Sequence, residues 1–205
     1  MMRRIVPLLF LLTAAGCVDN ADSIAREFRN ANNEGLDAMM MVTSEAQAGR
    51  MKIRVFAPLG DRLKFIERKL DIMDTNLGAK ALAREILTSD GMHLYLAELQ
   101  VNGQRYGLEM TRLRNLYEQY LERERELLRA RGEPANNVQG QEVCPELHAI
   151  VVTGTTIKPL EQQLKSPKVL DWMNNWAGRV DEKTMKIFKA KRELFAPKVD
   201  FKLVF

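Results

Sequence analysis

The chain has few of the residues on which catalytic and metal sites are usually built. Its 205 residues include two cysteines and two histidines. Two cysteines cannot form the disulfide framework of a small secreted domain, and a structural zinc site takes about four ligands. The sequence contains no P-loop, no GxSxG elbow, no GxGxxG turn and no HExxH helix. We therefore predict neither an enzyme nor a bound cofactor or metal.

The chain also lacks a large excess of either positive or negative charge. The chain has 31 basic and 27 acidic residues. In the segment 111–131 the signs alternate, and Glu122 with Arg125, like Glu126 with Arg129, has the i,i+3 spacing of a helical ion pair. A surface that binds nucleic acid would be basic and poor in acids. We predict a solvated helix face here, and no nucleic-acid partner.

The N-terminus has an export pattern. Arg3 and Arg4 precede an uncharged stretch, Ile5–Val18, whose 14 residues fall short of the ~20 that a membrane-spanning helix needs. The small residues Ala-Ala-Gly at 14–16 stand directly before Cys17. This end of the stretch resembles a bacterial lipobox, although Ala14 stands where many lipoboxes have leucine. An ordinary signal peptide with a chance cysteine is the alternative.

The resemblance implies a location and a membrane partner. Residues 1–16 would be a cleaved signal peptide, and residues 17–22 a short tether whose Cys17 carries lipid, including palmitate-type acyl chains. The mature protein would face the periplasm or the exterior, and Val18 directly after the cysteine favours the outer membrane. Loss of the two leader arginines would leave 29 basic and 27 acidic residues, so part of the basic balance belongs to the export signal.

Apolar residues in the next segment recur at the 3- and 4-residue spacing of helices. We predict a mainly α fold, in which residues 23–131 form a long antiparallel, coiled-coil-like hairpin or bundle. Pro58-Leu59-Gly60 is the predicted turn, with Asp61 as the N-cap of the second helix. The first seam is Ile24, Phe28, Ala31, Gly35, Ala38, Val42, Ala46, Gly49, Ile53 and Phe56; the second is Leu63, Ile66, Leu70, Met73 and Leu77. These seams are expected to carry assembly with a partner or a second copy.

Two stretches of this segment also fit strands. Residues 51–55 alternate apolar and basic side chains, but the helical seam continues through them and favours a helix. Residues 95–110 surround Asn102-Gly103, a strong hairpin signal. The same residues lie in a 3/4 pattern that runs from Met92 to Leu127. We favour one helix over about 92–131, which Gly132-Glu133-Pro134 would end, and leave the hairpin 93–110 as the alternative.

The C-terminal third is predicted to be a strand–helix–strand unit packed on the bundle. Residues 132–148 read as a polar connector, and the β-branched run 149–153 as a short buried strand. A helix is predicted to start at Ser166-Pro167 and to end before Ala196-Pro197. Residues 199–205 alternate strictly, so the chain is expected to end in a second strand that pairs with the first.

The candidate chemistry is confined to a few side chains. Cys144 and His148 could form a thiol site, because a nearby base lowers the pKa of a thiol, although an inert buried cysteine is the simpler interpretation. The run Met39-Met40-Met41 predicts core packing rather than copper binding, since consecutive helical residues point in different directions. An apolar ligand groove could be lined by Trp172, Trp176 and Tyr106.

Three functions follow from these features. We expect a membrane-anchored, non-enzymatic lipoprotein that acts as a structural or protein-interaction module in the cell envelope. A ligand-binding lipoprotein with a groove between helices is the alternative. A thiol-dependent enzyme that uses Cys144 and His148 is the third.

Overall fold

The computed structural model describes residues 20–176 and 179–195, and these residues are mainly helical. The lipobox-like segment therefore lies outside the described residues. The elements in chain order are α1 (Ala21–Met41), α2 (Glu45–Met51), a π-helical segment (Lys52–Phe56), α3 (Ala57–Leu77), α4 (Ala79–Thr88), α5 (Asp90–Ala130), α6 (Gly140–Val143), α7 (Pro145–Val151), α8 (Lys158–Lys165), α9 (Lys168–Trp176) and α10 (Glu182–Phe195). None of the described helices is both long and apolar enough to cross a membrane.

Helix α1 has a side-chain partner at each end. At its start, the Asn20 side chain accepts the Ser23 N–H at 2.8 Å, while Ser23 Oγ accepts the Asn20 N–H at 3.1 Å. This reciprocal pair is a capping box, which satisfies N–H groups that have no partner within the helix. At its end, the Arg112 guanidinium donates to the carbonyls of Met39 and Val42 at 2.6 and 2.7 Å. Side chains thus fix both ends of α1.

Helices α1 and α5 run side by side in the same direction. Ser89 Oγ and the Gly91 N–H both donate to the Asp22 carboxylate, at 2.5 and 2.7 Å, and so join the starts of the two helices. Farther along, ion pairs at 2.6 Å connect Arg29 with Glu98 and Asp37 with Arg105. Because the numbers rise together on both helices, the start of α5 lies beside the start of α1. Helix α5, at 41 residues, is about 60 Å long.

The core lies where α1 packs against α3 and α5. Phe28 and Tyr95 are buried and stack with ring centroids 5.4 Å apart. Helix α3 contributes Ile66 and Leu70, both fully buried. The Tyr95 hydroxyl accepts a hydrogen bond from Gln163 Nε2 of α8 at 2.5 Å, so the one polar atom of this tyrosine has a partner.

The predicted mainly α class is confirmed, but the hairpin turn at residues 58–60 is wrong. The chain stays helical from α2 through the π-helical segment into α3, and Asp61 lies inside α3 rather than at its N-cap. The break lies earlier, where Ser44 caps α2 by accepting the Gln47 N–H. A second break follows α3 at Gly78, whose φ of 77° suits glycine.

The first seam holds up to the break at Ser44, and of its members beyond that break only Phe56 is buried. Its members from Ile24 to Val42 are buried, whereas Ala46 is exposed and Ile53 is 74% exposed. The second seam is buried from Leu63 to Met73, and Leu77 is exposed. Most of the seam residues thus pack inside the same chain, so they are not the surface that was expected to carry assembly.

The long-helix interpretation of residues 92–131 is confirmed, and the β-hairpin alternative is wrong. Helix α5 runs through Asn102-Gly103 without interruption. Leu99, Tyr106 and Leu113 are buried on one face of it. The strand alternative at residues 51–55 is also wrong, because the chain there is helical. Gly132, with φ of 75°, follows the end of α5 as predicted.

The strand–helix–strand interpretation of the C-terminal third is corrected. Residues 149–153 are not a strand: 149–151 belong to α7, which buries Leu147 and Ile150 against α2 and α5. The connector 132–148 contains α6 and the start of α7, and the tether 17–22 overlaps the start of α1. The single helix predicted from Ser166 is instead the pair α9 and α10. The predicted strand 199–205 lies outside the described residues.

Candidate functional site

Cys144 lies at a corner between two short helices. Its φ and ψ of −148° and 71° end α6 and begin α7, where Pro145 occupies the first turn. Proline is tolerated there because the first N–H groups of a helix have no partner within it. The Cys144 side chain is fully buried. We call this region, built from α2, α5, α6 and α7, the Cys144 corner.

A carboxylate from α2 holds the first turn of α7 in this corner. Both oxygens of Glu45 accept backbone hydrogen bonds, from Glu146 at 2.7 Å and from Leu147 at 3.0 Å. A negative group at this position also interacts favourably with the helix dipole. Lys52 adds an ion pair with the Glu146 side chain at 2.8 Å. The corner is therefore fixed by contacts between residues about 100 positions apart.

The second predicted member, His148, is engaged by α5. The Tyr117 hydroxyl and His148 Nδ1 are 3.1 Å apart, and the two ring centroids are 6.0 Å apart. The Tyr117 hydroxyl also lies directly over Gly140, where an added Cβ would come within 1.8 Å of it. The His148 N–H donates to the Cys144 carbonyl at 2.9 Å. The structure thus joins the predicted pair through the backbone, while the imidazole bonds to a tyrosine.

The electrostatic surroundings disfavour a thiolate at Cys144. Burial raises the pKa of the Cys144 thiol to about 11, and the nearby carboxylates of Glu45 and Glu118 add to the increase. A nucleophilic cysteine needs the opposite, which is a positive or donating environment that lowers the pKa. At neutral pH the thiol is protonated. The surroundings of Cys144 therefore favour a structural role for this residue.

We therefore predict that Cys144 reacts slowly in the folded chain. In a Cys17→Ser variant, which retains one thiol, the pKa of about 11 against the ordinary 9.0 and the full burial of the side chain together make labelling by iodoacetamide at pH 8 at least about a hundred-fold slower than in urea. Mass spectrometry over time measures both rates. The native rate should rise tenfold per pH unit up to about pH 10. A native rate equal to the unfolded one would contradict the buried, protonated thiol.

No family model, curated protein or solved structure matches this chain. Within residues 20–176 and 179–195, no three His, Cys, Asp or Glu side chains are grouped so that they could hold a metal ion.

The remaining candidate residues lie apart from one another. Met39 is buried, while Met40 and Met41 are exposed, as the helical geometry predicts for consecutive residues. Tyr106 is buried on α5, and burial raises its pKa to about 12. Trp172 lies instead beside α4, where it lines a gap that is too narrow for a water molecule. The Trp176 side chain lies outside the described part of the structure.

A wider cleft, of about 490 Å³, opens elsewhere, between α4 and the start of α10. It is lined by Leu77, Gly78, Ala79, Lys80, Ala81, Arg84, Val180 and Asp181. Neither Tyr106 nor Trp172, two of the residues predicted to line a ligand groove, contributes to it. Asp181 is engaged within its own turn, where it accepts the Thr184 N–H at 2.9 Å and so caps α10.

Sequence reasoning missed the residues that build the Cys144 corner. Glu45 follows Ser44, and this pair is a recognisable helix start, but nothing local predicts that Glu45 also caps a helix about 100 residues away. Tyr117 belonged to the predicted seam of α5 and is buried accordingly. Its hydrogen bond to His148 depends on how α7 packs against α5, which no spacing in the sequence encodes.

Proposed function

We propose that this chain is a membrane-anchored, non-enzymatic lipoprotein of the bacterial cell envelope that acts as a structural or protein-interaction module. The observation that carries the proposal is the run of small residues at 14–16 before Cys17, after a basic start and a short apolar stretch. Acyl chains on Cys17 would hold the protein on the bilayer, each buried CH₂ contributing about 0.8 kcal/mol. The outer membrane is the favoured location.

The tether after the lipid would be short. Helix α1 begins at Ala21, four residues after Cys17, and four residues span at most about 14 Å. The start of α1 would therefore lie close to the membrane surface. Because α1 and α5 start side by side and run in the same direction, α5 would lead away from this anchored end. A helix about 60 Å long suits a protein that presents surfaces at a distance from its anchor.

The side chains of the helical part of the protein support an interaction role over catalysis. The Cys144 thiol is protonated at neutral pH, because burial and two carboxylates raise its pKa. The other histidine, His93, is buried, and its Nε2 lies 2.9 Å from the Leu87 carbonyl. The end of α5 carries a mixed-sign network in which Glu122 bonds to Arg125 and Arg129 at 3.0 and 2.9 Å. Such a face is well solvated and offers charges of both signs to a partner.

Lipid attachment is tested by replacing Cys17. When the full chain is expressed in a bacterium fed an alkyne-bearing palmitate, we expect the label on the protein and the protein in the membrane fraction. Cys17→Ala removes the only acylation site of this kind, so we expect both to be lost. Cys144→Ala is the matched control, and it should keep both. A Cys17→Ala protein that stays labelled would overturn the proposed anchor.

A further inference from the structure

Helix α5 has a second stripe on the face opposite the core, apolar at four of its seven positions. Its members are spaced alternately by three and four residues, without a fault, over three heptads. They are Leu94, Ala97, Val101, Gln104, Leu108, Thr111 and Asn115. Val101 is 49% exposed and Leu108 is 73% exposed, while Leu94 and Ala97 are half-buried. We call these seven residues the outer seam; no other described element covers Val101 or Leu108.

One edge of the outer seam is occupied by ion pairs within the chain. Glu98 and Arg105 are bound by Arg29 and Asp37 of α1, and Arg112 bonds to Glu109 at 2.7 Å and to the end of α1. The charges on this edge therefore already have partners of opposite sign. A second helix that approaches the seam therefore meets an edge whose charges are already paired, rather than a row of charges of the same sign.

The other edge carries a single charge, that of the exposed Arg114 near the Asn115 end of the seam. Gln100 and Gly107 lie there, and an added Cβ on Gly107 would meet nothing within 4 Å. The Thr111 hydroxyl donates to the Gly107 carbonyl at 3.0 Å, so it needs no partner from another molecule. Gly107 therefore lets a second helix come close to the backbone of α5 beside Leu108.

We propose that the outer seam pairs in parallel with the outer seam of a second copy of this chain. The orientation rests on the lipid anchor proposed above: 19 residues precede the described chain, and they end at the start of α1, beside the start of α5. Two copies held in one bilayer by Cys17 would therefore present their α5 helices in the same direction. Leu94, Val101 and Leu108 would each meet their own counterpart.

The seam also contains a residue that specifies register. Asn115 would meet Asn115 of the second copy, and a polar pair at such a position fixes the alignment and the two-stranded state at some cost in stability. The contact from Leu94 to Asn115 is about 33 Å long, which is a small interface for a stable complex. Anchoring both copies in one membrane raises their effective concentration, so the pairing is strongest on the bilayer.

The strength of the pairing is tested by placing a charge in the seam. In the Cys17→Ser chain, sedimentation equilibrium at increasing concentration should show a monomer–dimer equilibrium. Leu108→Glu buries an unpaired charge in the pair and should raise the dimer Kd about ten-fold or more. Phe65→Glu is the matched control: Phe65 is 59% exposed on α3, outside the outer seam, and its Kd should be unchanged.

The direction of pairing is tested by cross-linking. In parallel pairing, Leu108→Cys places two thiols opposite each other, so copper–phenanthroline oxidation should give a disulfide-linked dimer. The Cys17→Ser chain, whose remaining thiol is buried, is the baseline. Repeating the experiment in membranes with Cys17 intact should increase the linked fraction.

Three results would overturn the proposal. One is a Leu108→Cys chain that stays unlinked while a mixture of Ala97→Cys and Leu108→Cys chains links, because only antiparallel helices bring those positions together. The second is a monomer at every concentration together with no cross-link in membranes. The third is equal weakening of the dimer by Phe65→Glu. If Cys17 carries no lipid but the Leu108→Cys chain forms a disulfide-linked dimer in solution, the proposed lipid anchor is rejected while the proposed pairing of the outer seams is supported.

Discussion

Replacing Phe28 with alanine should cost about 3–5 kcal/mol of the free energy of unfolding, which is the usual loss for a buried phenylalanine. Phe28 is fully buried where α1 packs against α5, and its ring stacks on Tyr95 at 5.4 Å. The substitution removes the stacking energy, the buried apolar area and the packing of the ring, and it leaves a cavity between two helices. Since domains are stable by only about 5–15 kcal/mol, much of the fold's stability would be lost.

Urea titration followed by circular dichroism measures this change. The matched control is Phe65→Ala, since Phe65 is largely exposed on α3 and its ring contacts the Lys69 ammonium at 5.3 Å. A surface contact of this kind contributes about 0.5–1 kcal/mol. The two substitutions remove the same atoms, so their difference reports burial. Equal losses in the two variants would contradict the packing of α1 on α5.

The helical character of this chain could be predicted because its apolar pattern is long and regular. Over α5 the buried residues keep the 3/4 spacing for more than eight turns, and that pattern outweighs one Asn-Gly pair. A glycine inside a helix costs about 1 kcal/mol. The hairpin signal at Gly103 is therefore a local preference that the burial of Leu99 and Tyr106 overrides.

The error at Pro58 has a specific cause. A proline normally ends a helix because its ring clashes with the carbonyl four residues earlier, here that of Arg54. In this chain the preceding turn is π-helical, and the Ala57 N–H bonds to the Lys52 carbonyl, five residues back. The wider turn accommodates the proline, and α3 starts without a break. Sequence spacing does not reveal a single wide turn, so the hairpin was placed at the wrong residues.

The Cys144 corner could be predicted only in part. The β-branched run at 150–152 favours a strand when it is considered alone, yet α7 buries Leu147 and Ile150 as the i and i+3 positions of a helix. The helix is held by Glu45, and that contact depends on tertiary packing. The thiol's neighbours Glu45 and Glu118 come from other helices, so the sequence could not show that they raise its pKa.

The second large effect is expected at the glycine of the same corner. Gly140→Ala would place a Cβ 1.8 Å from the Tyr117 hydroxyl oxygen and 2.5 Å from its ring carbon Cζ. The ring is rigid and buried, so it must move away from α6, and the contact between Tyr117 and His148 at 3.1 Å would be lost. Overpacking of this kind costs about 1–3 kcal/mol, occasionally more.

Gly103→Ala provides a control that is expected to change the stability in the opposite direction. Gly103 lies inside α5, and an added Cβ there meets no atom within 4 Å. Alanine at such a site should stabilise the chain by about 0.5–1 kcal/mol, because glycine loses more conformational freedom on folding. In urea titrations, the unfolding midpoint of Gly140→Ala should therefore lie below that of the parent chain, and the midpoint of Gly103→Ala should lie above it. A Gly140→Ala chain as stable as Gly103→Ala would mean that Tyr117 does not pack on α6, and the corner would then lose the contact that positions His148.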